Sequence, residues 1–390
     1  MHGQNAIIYR EKIPSITKKE KMMTISLKDK YYNYDSVHQL ALRIQAVDPT
    51  FAVDDFVRAV VDETWEDLAL KARMHQISLK LGNYLPADYG KALGILDQVL
   101  TSYPAGYSNL FLMCLPDFVE VYGQAEEHWD LSMAALERYT PFSTSEFAVR
   151  PFIIQHELRM MEQMSIWAKH DNEHVRRLAS EGCRPRLPWG QALVSFKKDP
   201  TPVLAILEQL KADPSLYVRK SVANNLNDIS KDHPELVAKI AADWYGNNQH
   251  TDWIVKHGCR TLLKKSHRKV LSIFGFGDAD CLTVEDFALA ADSIIDGEDL
   301  IFSFQVKAKE TTKLRLEYGV DFVKANGTRN RKIFQIAETT LKAGEKRAFT
   351  KKRSFAKINT RKHYPGTHSL TLIMNGVEQG TLDFEVLGTS

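Results

Sequence analysis

The sequence predicts an all-α HEAT-like-repeat solenoid followed by a small all-β immunoglobulin-like sandwich. Apolar residues recur at helical spacing from about residue 36 to residue 277. Beyond residue 287 apolar and polar residues alternate, which is typical of strands with one buried face. A pattern that recurs inside the helical part favours stacked helix pairs over a single bundle.

The helical part divides into segments joined by short connectors that contain Gly, Pro, Asn or Asp. Connectors of this length are expected between antiparallel neighbours. The predicted helices are 36–47, 53–66, 68–81, 87–100, 110–122, 126–139, 147–169, 173–181, 202–210, 216–229, 234–244, 252–264 and 268–274.

A valine followed by a cationic residue recurs just inside several predicted helices, and an acidic residue precedes each pair. The pairs are Val149-Arg150, Val175-Arg176, Val218-Arg219 and Val255-Lys256. The last two intervals are 43 and 37 residues, close to the period of HEAT-type repeats. Stacked repeats would align these cations along one ridge, where they could bind phosphates. Alternatively, each cation pairs with an acidic residue of a neighbouring repeat.

The C-terminal part carries strand and turn signals. Alternation is clean in residues 313–318 and 368–374, and Asn375-Gly376 predicts a two-residue hairpin turn. About seven short strands in roughly 100 residues indicate an antiparallel sandwich of immunoglobulin type. The 17 cations of this part lie between residues 307 and 362 with only five acids, so they could attract phosphates. The alternative is a solvated basic edge that discourages strand pairing.

The segment 145–189 concentrates arginines, carboxylates and two tryptophans. Arg150 and Glu157 lie seven residues apart, which places them on one face of one predicted helix. Trp167 lies ten residues beyond Glu157, about a quarter turn round the same helix. Glu120 lies in an apolar helix end, where a carboxylate is costly without a partner. Either Glu120 or Glu157 forms a buried ion pair with Arg150 that holds the repeats together, and Trp167 is a core residue, or these groups form a site that acts on a bound ligand.

The composition and motifs exclude several classes of protein. The four cysteines are far apart without a CxxC pair, so neither a disulfide framework nor a zinc site is indicated. His156-Glu157 lacks the second histidine of a zinc-protease motif, because Met stands at position 160. No Gly-rich phosphate loop follows a strand, and we therefore expect no metal, nucleotide or other cofactor. The near-neutral charge of +2 identifies no partner by itself.

The predicted organisation has three parts: a flexible polar tail at residues 1–30, a helical domain at 31–277 and the sandwich at 281–390. Met22 or Met23 could be the true start. The first 30 residues lack the apolar centre of a secretory signal, and no apolar run is long enough to span a bilayer. Together with the cysteine usage, this predicts a cytoplasmic protein.

Two runs of sequence resemble the AlkC family of bacterial alkylpurine DNA glycosylases, of the HEAT-like-repeat superfamily shared with AlkD. They are TPFSTSEFAVRPF at 140–152 and HVRRLASEGCRPRLPW at 174–189. The similarity extends from about residue 30 to the end of the chain. The C-terminal sandwich resembles the immunoglobulin-like domain that some AlkC proteins carry.

The resemblance implies a monofunctional DNA glycosylase that removes cationic N3-alkylated bases, such as 3-methyladenine and 3-methylcytosine, from duplex DNA. It implies that the lesion is not flipped into a deep pocket. The expected partner is alkylated double-stranded DNA in the bacterial nucleoid, and we expect a monomer without a membrane or an obligate protein partner.

The expected catalytic group is Glu120, Glu157, Arg150 and Trp167, with one carboxylate stabilising the oxocarbenium-like sugar. Either glutamate could be that carboxylate. The expected DNA-binding residues are Arg176, Arg177, Arg184, Arg186, Trp189, Arg219, Lys220, Arg329, Arg331 and Lys332. The competing hypotheses are a non-catalytic HEAT-repeat scaffold and a damaged-DNA-binding protein that releases no base.

Overall fold

The computed structural model describes residues 26–277, 279–356 and 363–388. Most of the predicted tail, with the two alternative starts, lies outside the described residues. The backbone divides into two compact units, residues 1–144 and residues 145–390, and each is described by itself. No helix within the described ranges is long and apolar enough to cross a membrane.

The first unit is helical, and apolar side chains from successive helices fill its interior. Phe56, Trp65 and Phe118 have almost no exposed surface. The side chains of Asn33 and Asp88 cap two helices by accepting hydrogen bonds from backbone amides of the first turn. The helices are α1 (Leu27–Tyr31), α2 (Tyr34–Val47), α3 (Val53–Val60), α4 (Leu70–Tyr84), α5 (Tyr89–Thr101), α6 (Cys114–Tyr122) and α7 (Trp129–Tyr139), with 3₁₀ turns at Trp65–Asp67, Leu110–Met113 and Glu126–His128.

The second unit begins with further helices and continues into the sheets. The helix predicted at 147–169 is two helices, because His156 has φ −133° and ψ 54° and leaves the helical conformation. The prediction at 252–264 is likewise two helices, and α11 was not predicted. The helices are α8 (Val149–Gln155), α9 (Glu157–Trp167), α10 (Glu173–Gly182), α11 (Val194–Lys198), α12 (Thr201–Leu210), α13 (Leu216–Ile229), α14 (Pro234–Trp244), α15 (Gln249–Gly258), α16 (Arg260–Lys264) and α17 (Arg268–Ile273).

The predicted repeat is visible in the packing of α10, α13 and α15. These helices pack side by side, and Val175, Val218 and Val255 are all buried in the shared core. The guanidinium of Arg176 donates to the carbonyls of residues 170 and 171, and that of Arg219 donates to the carbonyls of residues 213 and 214. The same contacts therefore recur 43 residues apart, and the HEAT-like-repeat prediction is confirmed.

The sandwich consists of two sheets that enclose one apolar core, as predicted. One sheet has the strand order β1-β3-β6, and the other has the order β2-β8-β7-β4-β5. Phe302, Phe304, Leu316 and Leu372 contribute fully buried side chains. The strands are β1 (Leu282–Leu289), β2 (Ser293–Ile295), β3 (Asp299–Ala308), β4 (Thr312–Val323), β5 (Arg329–Leu341), β6 (Lys346–Ser354), β7 (Gly366–Met374) and β8 (Val377–Leu387).

The predicted hairpin turn at Asn375-Gly376 joins β7 to β8. Both residues have positive φ, 46° and 79°, which is the conformation that a tight hairpin of this kind requires. The Asn375 amide also donates to the carbonyl of Gly277, just before the first strand. A Cβ on Gly376 would lie 2.5 Å from the carbonyl oxygen of Ser266, so the turn contacts the last helices directly.

A buried polar cluster joins the last helices to the sandwich within the second unit. Arg315 on β4 forms ion pairs with Glu317 and Glu338. Glu317, which is 1% exposed, also accepts a hydrogen bond from the Ser266 hydroxyl in the turn before α17. A polar contact of this kind stays favourable only if all its members are satisfied. The cluster therefore fixes the orientation of the sandwich against α16 and α17.

Candidate functional site

In the first unit, two carboxylates on α6 face a polar stripe on α4. Asp117 and Glu120 lie three residues apart on one face of α6, next to Lys71, His75 and Ser78. The Nδ1 atom of His75 lies 3.0 Å from Oδ2 of Asp117, which is buried. Two acids on one helix face are costly unless they are compensated, so this arrangement differs from an ordinary core contact.

Glu120 is the half-buried member of this acid pair. Burial and the like charge of Asp117 raise the pKa of Glu120 to about 7, although Lys71 and His75 favour the ionised form. Among the described residues its carboxylate has neither a hydrogen bond nor an ion pair. Burial raises the pKa of Asp117 as well, against hydrogen bonds from Ser78 and His75. Ionisation of both carboxylates is therefore unfavourable in the folded chain.

Glu157 lies in the second unit, at the first residue of α9. It is half-buried, and its carboxylate has no ion pair within the described part of the chain. The negative charge of Glu157 is favourable at this position, because the N-terminus of a helix attracts negatively charged side chains. Glu157 therefore has an ordinary structural explanation that Glu120 lacks.

Within the described residues Arg150 has no acidic partner, so the ion pair predicted with Glu120 or Glu157 does not occur there. Its guanidinium is buried and donates to three backbone carbonyls: Gly182 at 2.9 Å, Arg184 at 3.0 Å and Gln191 at 2.5 Å. Burial lowers its pKa to about 10. These three hydrogen bonds fix the backbone between α10 and α11, which corrects the expectation that Arg150 touches a substrate.

Trp167 is also a structural residue in this conformation. Its side chain has no exposed surface at the end of α9. The expectation that it presents a ring face to a cationic base is therefore corrected, because the indole packs in the core. The spacing from Glu157 predicted the position of Trp167 around the helix. It could not show which face of α9 packs against other helices.

A network of ion pairs occupies several of the arginines that were expected to bind phosphates. Arg184 is 7% exposed and is paired with Glu181 at 2.6 Å and Asp228 at 2.9 Å. Arg177 pairs with Glu146 and lies over the ring of Tyr217. For Arg184 the expectation of a phosphate contact is corrected, because both of its acidic partners are buried with it.

Arg176 and Arg186 also have acidic partners. Of the cations that follow the repeat valines, Arg176 forms the pair with a neighbouring acid that the alternative predicts, whereas Arg150 and Arg219 donate to backbone carbonyls. Arg176 binds Asp213 at 2.7 Å and Arg186 binds Asp232 at 2.6 Å. The pair of Arg186 is more exposed, so its guanidinium remains accessible from solvent. The described part of the chain contains no ion pair for Lys220, which is exposed on α13.

Trp189 combines an exposed ring with an unusual backbone. It is 64% exposed, and its φ of 64° lies in the left-handed region that is normally occupied by glycine. Gly190 follows at a point where a Cβ would lie 3.3 Å from the Arg150 side chain. The loop therefore passes tightly over Arg150 while the indole points outward.

The expected cations of the sandwich lie at the start of β5, an edge strand. Arg331 pairs with Asp321 and Glu378, and Arg329 donates to the Ser369 hydroxyl at 2.8 Å. Lys332 is exposed and, within the described residues, has no ion pair. The edge strand is therefore basic, although ion pairs neutralise part of its charge. Among its expected cations, Lys332 is the most accessible to a ligand.

Sequence reasoning did not identify the groups that surround Glu120 and Asp117. Asp117 lies three residues before it, and Lys71, His75 and Ser78 follow helical spacing on α4. The spacing of each group was visible, because positions three and four apart share a helix face. Which helix α6 packs against was not visible, since that depends on tertiary structure.

Both family models and individual proteins are similar to this chain. The model described as DNA alkylation repair enzyme matches residues 126–262. The model described as the C-terminal Ig-like domain of the uncharacterised protein YhaZ matches residues 283–388.

The Bacillus subtilis (strain 168) protein YhaZ is 47% identical to this chain over 355 residues, which cover 91% of this chain and 98% of YhaZ. The solved structure of the Pseudomonas fluorescens alkylpurine DNA glycosylase AlkC, bound to DNA containing an abasic site analog, is 36% identical. It matches with a TM-score of 0.79 and covers 93% of this chain and 99% of that one.

Proposed function

The chain belongs to the AlkC family of alkylation-repair DNA glycosylases, and from this premise we propose that it hydrolyses the N-glycosidic bond of cationic N3-alkylated bases in duplex DNA. The proposed substrates are 3-methyladenine and 3-methylcytosine, attacked without flipping of the base into a deep pocket. Neither a metal nor a nucleotide takes part.

The chemistry follows from the charge of the damaged base. Alkylation at a ring nitrogen leaves a formal positive charge, so the base departs as a neutral molecule and needs no general acid. The remaining difficulty is the oxocarbenium character that develops on the deoxyribose. A fixed carboxylate near C1′ stabilises that charge. At an effective dielectric of ~20, a charge pair at ~4 Å contributes roughly 4 kcal/mol, or about three powers of ten in rate.

We favour Glu120 as this carboxylate, with Glu157 as the second candidate. The observation that carries the choice is a half-buried glutamate beside the buried Asp117, with a pKa raised to about 7 and no ion pair among the described residues. Burial of such a carboxylate lowers the stability of the fold, and ionisable groups with strongly shifted pKa values are concentrated at functional sites. A cationic nucleotide nearby would favour its ionised form and so strengthen binding and catalysis together.

Contacts between cationic side chains and backbone phosphates bind the duplex. Lys220 and Arg186 in the helical repeats, and Lys332 on β5, are the accessible cations best suited to this task. Arg176, Arg177, Arg219, Arg329 and Arg331 would have to share their present hydrogen bonds with a phosphate. Contacts of this type carry no sequence information and weaken steeply with salt.

The decisive experiment is base release from duplexes that carry one defined lesion, analysed by chromatography. Wild-type protein is expected to release 3-methyladenine in buffer containing EDTA and no nucleotide. Glu120→Gln is expected to bind the same DNA but to lose about 10²–10³ in rate, the scale of one electrostatic stabiliser. Glu162→Gln, an exposed glutamate on α9, serves as the matched control and should keep full activity.

Other outcomes separate the competing functions. Intact substrate after long incubation with excess wild-type protein would contradict the glycosylase, and selective binding without release would indicate a damage sensor. Full activity of Glu120→Gln with loss in Glu157→Gln would move the assignment to Glu157. Trapping of a protein–DNA adduct with borohydride would contradict direct attack by water.

A further inference from the structure

The loop from Gly182 to Gln191 is built around a buried guanidinium. Arg150 on α8 reaches into it and donates to the carbonyls of Gly182, Arg184 and Gln191. Pro185 and Pro188 lie within the same stretch and have no amide hydrogen to donate. A loop whose carbonyls converge on one cation has few alternative conformations, because each departure leaves a buried donor unsatisfied.

Further contacts close the loop on itself. The amide of Gly190 donates to the carbonyl of Leu187 at 3.1 Å, and the amide of Leu193 donates to that of Pro185 at 3.2 Å. A Cβ at position 190 would lie 3.0 Å from Leu187 and 3.3 Å from Arg150. The backbone at this point has therefore no room to relax toward Arg150.

Trp189 is the residue that this rigid loop presents. It occupies a left-handed backbone conformation that glycine or asparagine would adopt more easily. It also leaves most of a large apolar ring in water, whereas Trp65, Trp129, Trp167 and Trp244 are buried. A single exposed apolar residue is common on protein surfaces. A mostly exposed indole at a strained backbone position, in a loop held by a buried arginine, is less common.

We propose that Arg150 is a positioning residue that holds the 182–191 loop so that the Trp189 indole stacks on a nucleobase exposed at the damaged step of the bound DNA. The inference rests on the proposed function and names a contact within it. An indole presents a flat π face, and stacking of a base on an aromatic side chain does not depend on the identity of the base. Preorganisation by Arg150 reduces the entropy that the indole loses on binding.

The test compares two duplexes of the same sequence, one intact and one with a tetrahydrofuran abasic-site analogue. Trp189→Ala is expected to weaken binding to the duplex with the missing base about tenfold and to change binding to the intact duplex less than twofold. Trp189→Phe should retain most of the affinity, while the quenching of tryptophan emission by the DNA disappears. Equal affinity of Trp189→Ala and wild type for the abasic duplex, or an equal loss for both duplexes, would overturn the proposal.

The role of Arg150 is tested by combining its substitution with Trp189→Ala. Arg150→Lys alone is expected to weaken binding to the abasic duplex, and in the Trp189→Ala background it should cause no further loss. Independent losses would mean that Arg150 acts only on the fold. If Arg150→Lys does not fold, Gly190→Ala replaces it, because its new methyl group would push against Leu187 and Arg150 and move the loop.

The readouts distinguish this inference from the proposed function. Affinity for an abasic duplex involves no bond cleavage, so it reports on stacking even if wild-type protein releases no base. Conversely, if Trp189→Ala releases the base and binds the abasic duplex with normal affinity, the glycosylase activity is supported and the stacking contact is refuted.

Discussion

At the scale of single residues, Glu120 and Trp189 share a property that ordinary packing does not explain. Each occupies a setting that is unfavourable for its residue type. Glu120 is a half-buried acid without an ion pair among the described residues, and Trp189 is an exposed indole at a φ of 64°. A non-glycine residue in such a conformation costs about 1–3 kcal/mol. Stability lost at individual positions is a recurrent feature of functional sites.

The free-energy cost of burying the Glu120 carboxylate depends on pH. The pKa is raised from 4.5 to about 7 in the folded chain, so the folded state binds more protons than the unfolded state between these values. Stability therefore falls as the pH rises through this window. Above pH 7 the penalty is complete, and it is absent below about pH 4.5.

Glu120→Gln should therefore stabilise the protein at pH 8 by about 1–3 kcal/mol, because glutamine cannot ionise. The same variant should have little effect on stability at pH 5. Thermal unfolding of wild type and variant at both pH values measures the difference, and Glu162→Gln should show no such dependence. A lower melting temperature of Glu120→Gln at pH 8 would show that the charge stabilises the fold, which would contradict the functional assignment.

At the scale of elements, the sequence predicted periodic features well and junctions poorly. The burial of Val175, Val218 and Val255 followed from their place in the repeat, and so did the alternation of the strands. The break at His156 had no signal, because neither Pro nor Gly marks it. The burial of Arg150 and Trp167 was also hidden, since spacing assigns a helix face but not what covers it. Whether an arginine is paired or free depends on the neighbouring repeat, which only the tertiary structure supplies.

The ion pairs between repeats provide a test of how the helices are held together. Asp228 on α13 is 2% exposed and accepts from the buried Arg184, whereas the pair of Asp232 with Arg186 is exposed. Asp228→Asn should destabilise the protein by about 3–5 kcal/mol, because it leaves a buried guanidinium without a full counter-charge. Asp232→Asn, the matched control, should cost less than about 1 kcal/mol.

Urea unfolding followed by far-ultraviolet circular dichroism measures both variants. Equal and small effects would show that water reaches Arg184 and that the network is not buried in solution. In that case Arg184 would return as a possible phosphate contact, since its charge would be available to a ligand.

At the scale of the whole chain, net charge and charge distribution carry different information. The formal charge is only +2, yet 17 cations of the C-terminal part lie between residues 307 and 362. Ion pairs within the described residues neutralise some of these charges, as for Arg331 and Lys352. The cations that remain exposed, rather than the total charge, determine how binding to DNA responds to salt.

Lys220 offers the clearest measurement of this response in the helical repeats. If its ammonium contacts a phosphate, Lys220→Ala should weaken binding to all duplex sequences alike and reduce the slope of log K against log salt by about one. Lys239 on α14 is the matched control, because it is an exposed lysine on the helix that follows α13, and its alanine variant should leave the slope unchanged. The measurement is a fluorescence-anisotropy titration between 50 and 200 mM salt, a range in which one contact gives a resolvable change. An unchanged slope for Lys220→Ala would show that Lys220 does not contact a phosphate. The same titration on Lys332→Ala would then show whether a cation of β5 makes such a contact.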